Sequence, residues 1–207
     1  MQIFLDDIDY RKFLFVLSDV LDVYDVECWD YCVMPNHFHL TLRNRLPNLS
    51  KMMQHLNGEY ATWWNARHQR VGHVFQGRFK DQIVQKEGYL VTLFQYFALN
   101  PLRANLVSAP EQWPWSAYSC IAGRAPNPGF LSSELVLAEF EGESPRVRRE
   151  RYIARVLAKW DDEDRIVKLL RSRRRVVGDA WFKRSVLEET APPVVVPKGV
   201  ESYYGYL

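Results

Sequence analysis

The sequence predicts an α+β fold: an antiparallel sheet flanked by helices, followed by a helical C-terminal extension. Three observations carry this. Apolar residues recur at helical intervals over 8–24 and 49–69. Shorter runs over 26–34, from His37 to Leu42, and up to Val84 have the composition and alternation of strands. Their order is α-β-β-α-β-α, which suits an antiparallel sheet covered by helices.

Each element has its own signal. Phe13, Leu14, Leu17, Val20, Leu21 and Tyr24 make one stripe of the first helix, with Asp6 or Asp7 as its cap. Residues 26–34 form a strand that enters a turn at Met34-Pro35-Asn36, where a proline belongs because it lacks an N–H. From His37 to Leu42, alternation puts His37, His39 and Thr41 on one face and Phe38, Leu40 and Leu42 on the other. The apolar face packs on helices and the histidine face looks into a cleft. Leu49 to Gln69 is a long helix capped by Asn48 or Ser50, with Met52, Met53, Leu56, Tyr60, Trp63 and Trp64 on it. Gly72 to Val84 is a loop into a strand, where Arg78, Lys80 and Gln82 make a cationic and polar face. Glu87 to Leu99 is the next helix, ended at Asn100 by Pro101.

Later elements are read more coarsely. Trp113-Pro-Trp-Ser-Ala-Tyr118 is an aromatic packing segment and 122–129 a loop. Residues 133–140, 147–160, 161–171 and 178–189 read as helices, and the tail from Ala191 as non-helical. The expected division is 1–120 for the main domain, 121–190 for the extension and 191–207 for the tail.

Composition bounds the function. Hydrophobic residues make up 47% of 207, enough for a sizeable core. No apolar run is long enough to span a bilayer, and the start lacks a secretory pattern, so a cytoplasmic protein with no membrane partner is expected. Cys28, Cys32 and Cys120 make no disulfide framework. A zinc site joining Cys28 and Cys32 to His37 and His39 fits none of the common spacings, and buried thiols are the simpler reading. The net charge of +2 conceals asymmetry: 1–40 carries −6, 41–110 carries +6 and 146–175 carries +7. Such segregation points to a polyanion, although charge runs are often only solvated faces.

The candidate chemistry lies in two short segments. His37 and His39 set two imidazoles side by side on one strand face, as a metal ion needs. Tyr96 and Asn100 share a helix face at i and i+4. An Asn100 carbonyl could join the metal while the Tyr96 phenol reaches a substrate. Oxygen ligands and water suit Mg²⁺ or Mn²⁺, and such an ion would polarise a phosphate for attack by tyrosine. Each motif alone also reads as packing or as a helix stop; it is their joint presence beside basic faces that points to chemistry.

Met34-Pro35-Asn36-His37-Phe38-His39-Leu40 resembles the HUH signature of single-tyrosine, IS200-like transposases. Residues 96–107 resemble their catalytic-helix signature, and Gly77 to Val84 with 113–118 resemble landmarks of the REP-associated branch. The resemblance covers 3–120 clearly and 165–189 loosely. It implies a ferredoxin-like HUH endonuclease fold and a nuclease and strand transferase acting on single-stranded or hairpin DNA. His37 and His39 match its metal histidines, Asn100 its third ligand and Tyr96 its nucleophile. The implied product is a 5′-phosphotyrosine with a free 3′-OH, and the implied target a repetitive palindromic element. A bacterial, nucleoid-associated location follows; monomer and dimer both stay open. The alternative is a domesticated DNA- or RNA-binding protein without cleavage, in which Arg78, Lys80, Arg103, Arg171, Arg173 and Arg174 would matter most. Whether 146–189 is a DNA-binding appendage or a helical cap also stays open, and Tyr203, Tyr204 and Tyr206 in the tail have no assigned place. Relatives usually begin with a strand ahead of the Ile3-Phe4-Leu5 segment; its absence would leave a vacant sheet position that weakens folding or invites a partner strand.

Overall fold

The structure, a computed structural model, describes residues 1–158, 176–177, 179–187 and 194–198. The expected order of elements is observed: α1 (Asp7–Tyr24), β1 (Val26–Met34), β2 (His37–Asn44), α2 (Leu49–Arg67), β3 (Lys80–Val84) and α3 (Lys86–Arg103). Then come a 3₁₀ turn (Pro110–Gln112), α4 (Tyr118–Ile121), α5 (Ser133–Leu137), α6 (Pro145–Leu157), β4 (Val176–Val177), α7 (Ala180–Leu187) and β5 (Val194–Lys198). The fold is α+β, with a largely antiparallel sheet between helices. The helix expected over 161–171 lies outside the described residues. Among the described residues, no helix is long and apolar enough to cross a membrane.

Asp6 starts α1 by accepting from the Ile8 and Asp9 amides, two of the donors a helix N-terminus leaves open. The helix stops at Asp25, which takes the left-handed conformation. Its stripe of Phe13, Val16, Leu17, Val20 and Leu21 is buried. β1 and β2 form a hairpin in which Met34 faces His37, so Pro35 and Asn36 are the whole loop. Asn48 begins α2, yet its side chain makes no cap there. Its Nδ2 donates instead to the Tyr24 carbonyl at 2.7 Å, closing the end of α1.

The N-terminal segment braces that hairpin. The Ile3 and Phe4 amides both donate to the Pro35 carbonyl, at 2.9 and 3.1 Å. Tyr60 Oη donates to the Ile3 carbonyl at 2.6 Å. The Leu5 amide donates to Asp9, a fully buried carboxylate that also receives Arg67 and His68. Phe4, Tyr10, Phe13, Phe38 and Tyr60 interlock beneath these contacts.

The 113–118 segment packs as expected and also covers the outer edge of β1. Val33 N donates to Trp115 O and Ala117 N to Tyr31 O, at 2.8 and 3.0 Å. Trp113 Nε1 donates to Val33 O, and the Trp115 ring stacks on Tyr10 at 4.6 Å. Further along, Ser132 N donates to Cys28 O.

Two expectations are corrected. Pro101 does not end α3 at Asn100: the helix runs on to Arg103. A proline there removes one donor near the helix end, where few bonds remain to be lost. The stop is made by Asn105 in the left-handed region, with bonds from Asn105 N to Leu102 O and Leu106 N to Pro101 O. Gln82 does not share the surroundings of Arg78 and Lys80, since those two are exposed whereas Gln82 and Val84 are buried. Burying the row serves a small second core of Cys32, Met34, Val84, Leu93 and Phe97 under α3. On the histidine face His39 packs against α3, while His37 keeps some exposure.

The sheet order is β1-β2-β5-β3-β4. All its pairings are antiparallel except β3 with β4. The position between β2 and β3 is held by β5, from the segment read as a tail.

Candidate active site

Strand alternation splits β2 between two layers. Phe38 packs on Phe13 of α1 with ring centroids at 4.6 Å. His39, its neighbour, stacks on Phe97 of α3 at 5.1 Å and meets the Tyr96 ring edge-on at 5.6 Å. His39 is buried, while His37 at the strand's start keeps some exposure.

The two imidazoles converge. His37 Nε2 and His39 Nε2 lie 3.1 Å apart. Two ring nitrogens at that distance hold a proton or a cation between them. Asn36 Oδ1 is 2.7 Å from His37 Nδ1, which therefore carries its proton and leaves Nε2 with a lone pair. Although its edge reaches solvent, the surrounding protein pushes the His37 pKa down to about 4, so the ring is neutral, the form that ligates.

This donor pair fits a metal ion. With metal–nitrogen bonds of about 2.1 Å, a 3.1 Å separation corresponds to an angle of about 95° at the ion, as between neighbouring octahedral positions. Among the described residues, no three His, Cys, Asp or Glu side chains gather at one point. The donors seen to converge are the two imidazoles. Asn100 lies one turn beyond Tyr96 on α3, and its buried Nδ2 has no partner among the described residues. Cys28 and Cys32 are fully buried, and burial raises both thiols far from the thiolate form a zinc site uses.

Tyr96 sits between the histidines and a cation. The Arg103 guanidinium lies over its ring, 5.3 Å from the centroid. His37, His39, Tyr96 and Arg103 are thus brought together. Lys80 starts β3 and is exposed, as is Arg78 in the preceding loop. Arg171, Arg173 and Arg174 lie outside the described residues, as do Tyr203, Tyr204 and Tyr206.

Sequence reasoning gave Asn36 no role of its own, reading it as part of a turn and of the Met34–Leu40 run. Its place directly before the first histidine was the available signal. It also missed a pocket of about 230 Å³ beside Asn36, lined by Ile3, Arg70, His73, Phe75 and Gln76 among others.

Residues 2–99 match the family model described as "Transposase IS200 like". The chain resembles the IS200-like transposases over this segment. The match spans a little under half of the chain and contains both histidines and Tyr96. It indicates transposase-like DNA processing, an enzyme of the transposase and endonuclease class, and DNA as the partner. No curated protein and no solved structure matches the chain. The IS200-like segment ends one residue before Asn100, so the amide lies just past the match.

Proposed function

We propose that the protein is a metal-dependent endonuclease and strand transferase for single-stranded or hairpin DNA, with Tyr96 as its nucleophile. The observation that carries this reading is the packing of the Tyr96 ring against His39, whose Nε2 converges with that of His37. His37 and His39 would hold Mg²⁺ or Mn²⁺, with Asn100 as the third protein ligand. Bound there, the ion supplies charge that polarises the scissile phosphate.

The chain's own groups do the rest. Tyr96 Oη attacks phosphorus and the bond to the 3′ oxygen breaks. The products are a 5′-phosphotyrosine and a 3′ hydroxyl, which takes up the proton. Attack by a 3′ hydroxyl reverses the step and transfers the strand. Asn36 fixes the His37 tautomer. Arg103, Lys80 and Arg78 supply cationic contacts for the DNA backbone, with the Arg171, Arg173 and Arg174 run as a further contact region. The pocket at Arg70, His73 and Phe75 offers donors and a ring to a flanking nucleotide. A repetitive palindromic hairpin is the substrate this reading favours.

The test is a labelled DNA hairpin with a single-stranded foot, incubated with the protein and Mn²⁺. A covalent adduct that maps to Tyr96 is expected. Tyr96→Phe should abolish cleavage and adduct while keeping DNA binding; cleavage at the wild-type rate refutes the assignment. His37→Ala should remove metal-dependent activity and leave the circular dichroism spectrum unchanged. Salt-sensitive hairpin binding by the wild type with no adduct would favour the binding-only reading.

A further inference from the structure

The strand that carries the histidines and the strand that begins with Lys80 meet through a third strand from the far end of the chain. β5 pairs antiparallel with β2 on one side and with β3 on the other. Its register is common to both. Lys198 lies opposite His39 and opposite Lys80; Val195 lies opposite Leu42 and Ile83; Val194 lies opposite Arg43 and Val84. The C-terminal extension also holds the other edge of β3, where β4 pairs Val176 with Ile83 and Val177 with Val84. Between them, α7 is fastened beside the end of β3. Gln85 Nε2 donates to Asp179 Oδ2 at 2.9 Å, and Asp179 N donates to Gln85 Oε1 at 2.8 Å.

We propose that the gap between β2 and β3 is a strand-acceptor slot, filled in cis by residues 194–198. The segment has the chemistry for it. Val194-Val-Val is β-branched throughout, and an extended backbone supplies the bonds that two facing edges need. It is also a weak occupant. It has five residues, and Pro197, opposite Asp81, brings no N–H to the ladder of a central strand. A short central strand can leave without breaking the β1–β2 or β3–β4 pairings on either side of it. Its departure would part His39 from Lys80 and open two ladder edges to another extended segment. This inference concerns how the sheet closes and stands independently of the chemistry assigned to Tyr96.

Two measurements on the full chain test it. An amine-reactive crosslinker should join Lys80 to Lys198, and a mixture of light and heavy chains should give crosslinks within one chain only. Absence of the crosslink, or a crosslink between chains, overturns the assignment in cis. The second is Val195→Pro, which removes another N–H from the ladder. Amide exchange should speed up at least tenfold at 39–43 and 80–84, while α1 amides hold their protection. A synthetic peptide of residues 191–207 added to this variant should restore protection in a saturable way. Unchanged exchange in the variant, or no restoration by the peptide, overturns the slot. If the variant does not fold, the crosslink in the unaltered chain decides.

Discussion

Tyr60→Phe deletes one oxygen and leaves everything else in place. In the native chain that oxygen donates to the Ile3 carbonyl at 2.6 Å, with both residues buried. The ring would stay packed on Phe4, Phe13 and Phe75, so no cavity opens. What remains is the loss of a hydrogen bond worth about 0.5–1.5 kcal/mol net and the burial of an unpaired carbonyl, which costs about 1–3 kcal/mol. A loss of about 1–3 kcal/mol is therefore expected. For a chain of this length that is roughly 2–12 °C in melting temperature. Burial drives the Tyr60 pKa far above the usual phenol value, so the hydroxyl stays protonated and the loss should be equal at pH 6 and pH 9. Urea unfolding of wild type and variant, compared at equal m-value, measures it. Amide exchange adds a local readout, because Ile3 and Phe4 hold the Pro35 carbonyl and should exchange faster. A change below about 0.5 kcal/mol would refute the reasoning, since it would mean that the Ile3 carbonyl has another partner in reserve.

Two further outcomes follow from the same geometry. Asn36→Ala removes the acceptor at His37 Nδ1 and should weaken Mn²⁺ binding by roughly 10–100-fold in a calorimetric titration; unchanged affinity would show that Asn36 does not orient the ligand. Asp30→Asn should flatten the stability–pH curve. Asp30 is buried, its Oδ2 has no partner among the described residues, and burial raises its pKa well above the usual carboxylate value. A raised acid pKa gives stability that is complete below about pH 4 and declines as pH rises towards the folded value, by at most about 1.4 kcal/mol per pH unit. Parallel denaturation midpoints for the two proteins from pH 4 to pH 8 would sink the claim.

The first half of the fold was legible because its signals are local. The strand-like run of 26–34 and the alternation of 37–42 gave the hairpin and the two faces of its second strand, and the apolar stripes gave α1 and α2. The end of α3 was misread because Pro101 removes only the N–H that would bond back to the Phe97 carbonyl, which leaves the turn after it free to form. Gln82 was misread because alternation gives faces but does not say which one a helix will cover. Nothing local marks Val194–Lys198 as a central strand. Its proline and brevity argue for a tail, and its partners lie more than a hundred residues earlier in sequence. At the site, the spacing placed His37 with His39 on one face. Packing of Tyr96 on His39 depends on how α3 crosses the sheet, which no local pattern encodes.

The bracing of the hairpin by residues 3–5 has a practical consequence. Ile3 and Phe4 grip the carbonyl two residues before His37, and Lys198 pairs beside His39. Both ends of the described chain therefore run close to the imidazole pair. A polyhistidine tag joined ahead of Ile3 would bring competing ligands to the neighbourhood where metal affinity is to be measured. A fluorophore at residue 1 or at Lys198 would report on β2 whether intended or not. The exposed loop at 123–129 is the better place for a handle, because it leaves both ends as they are.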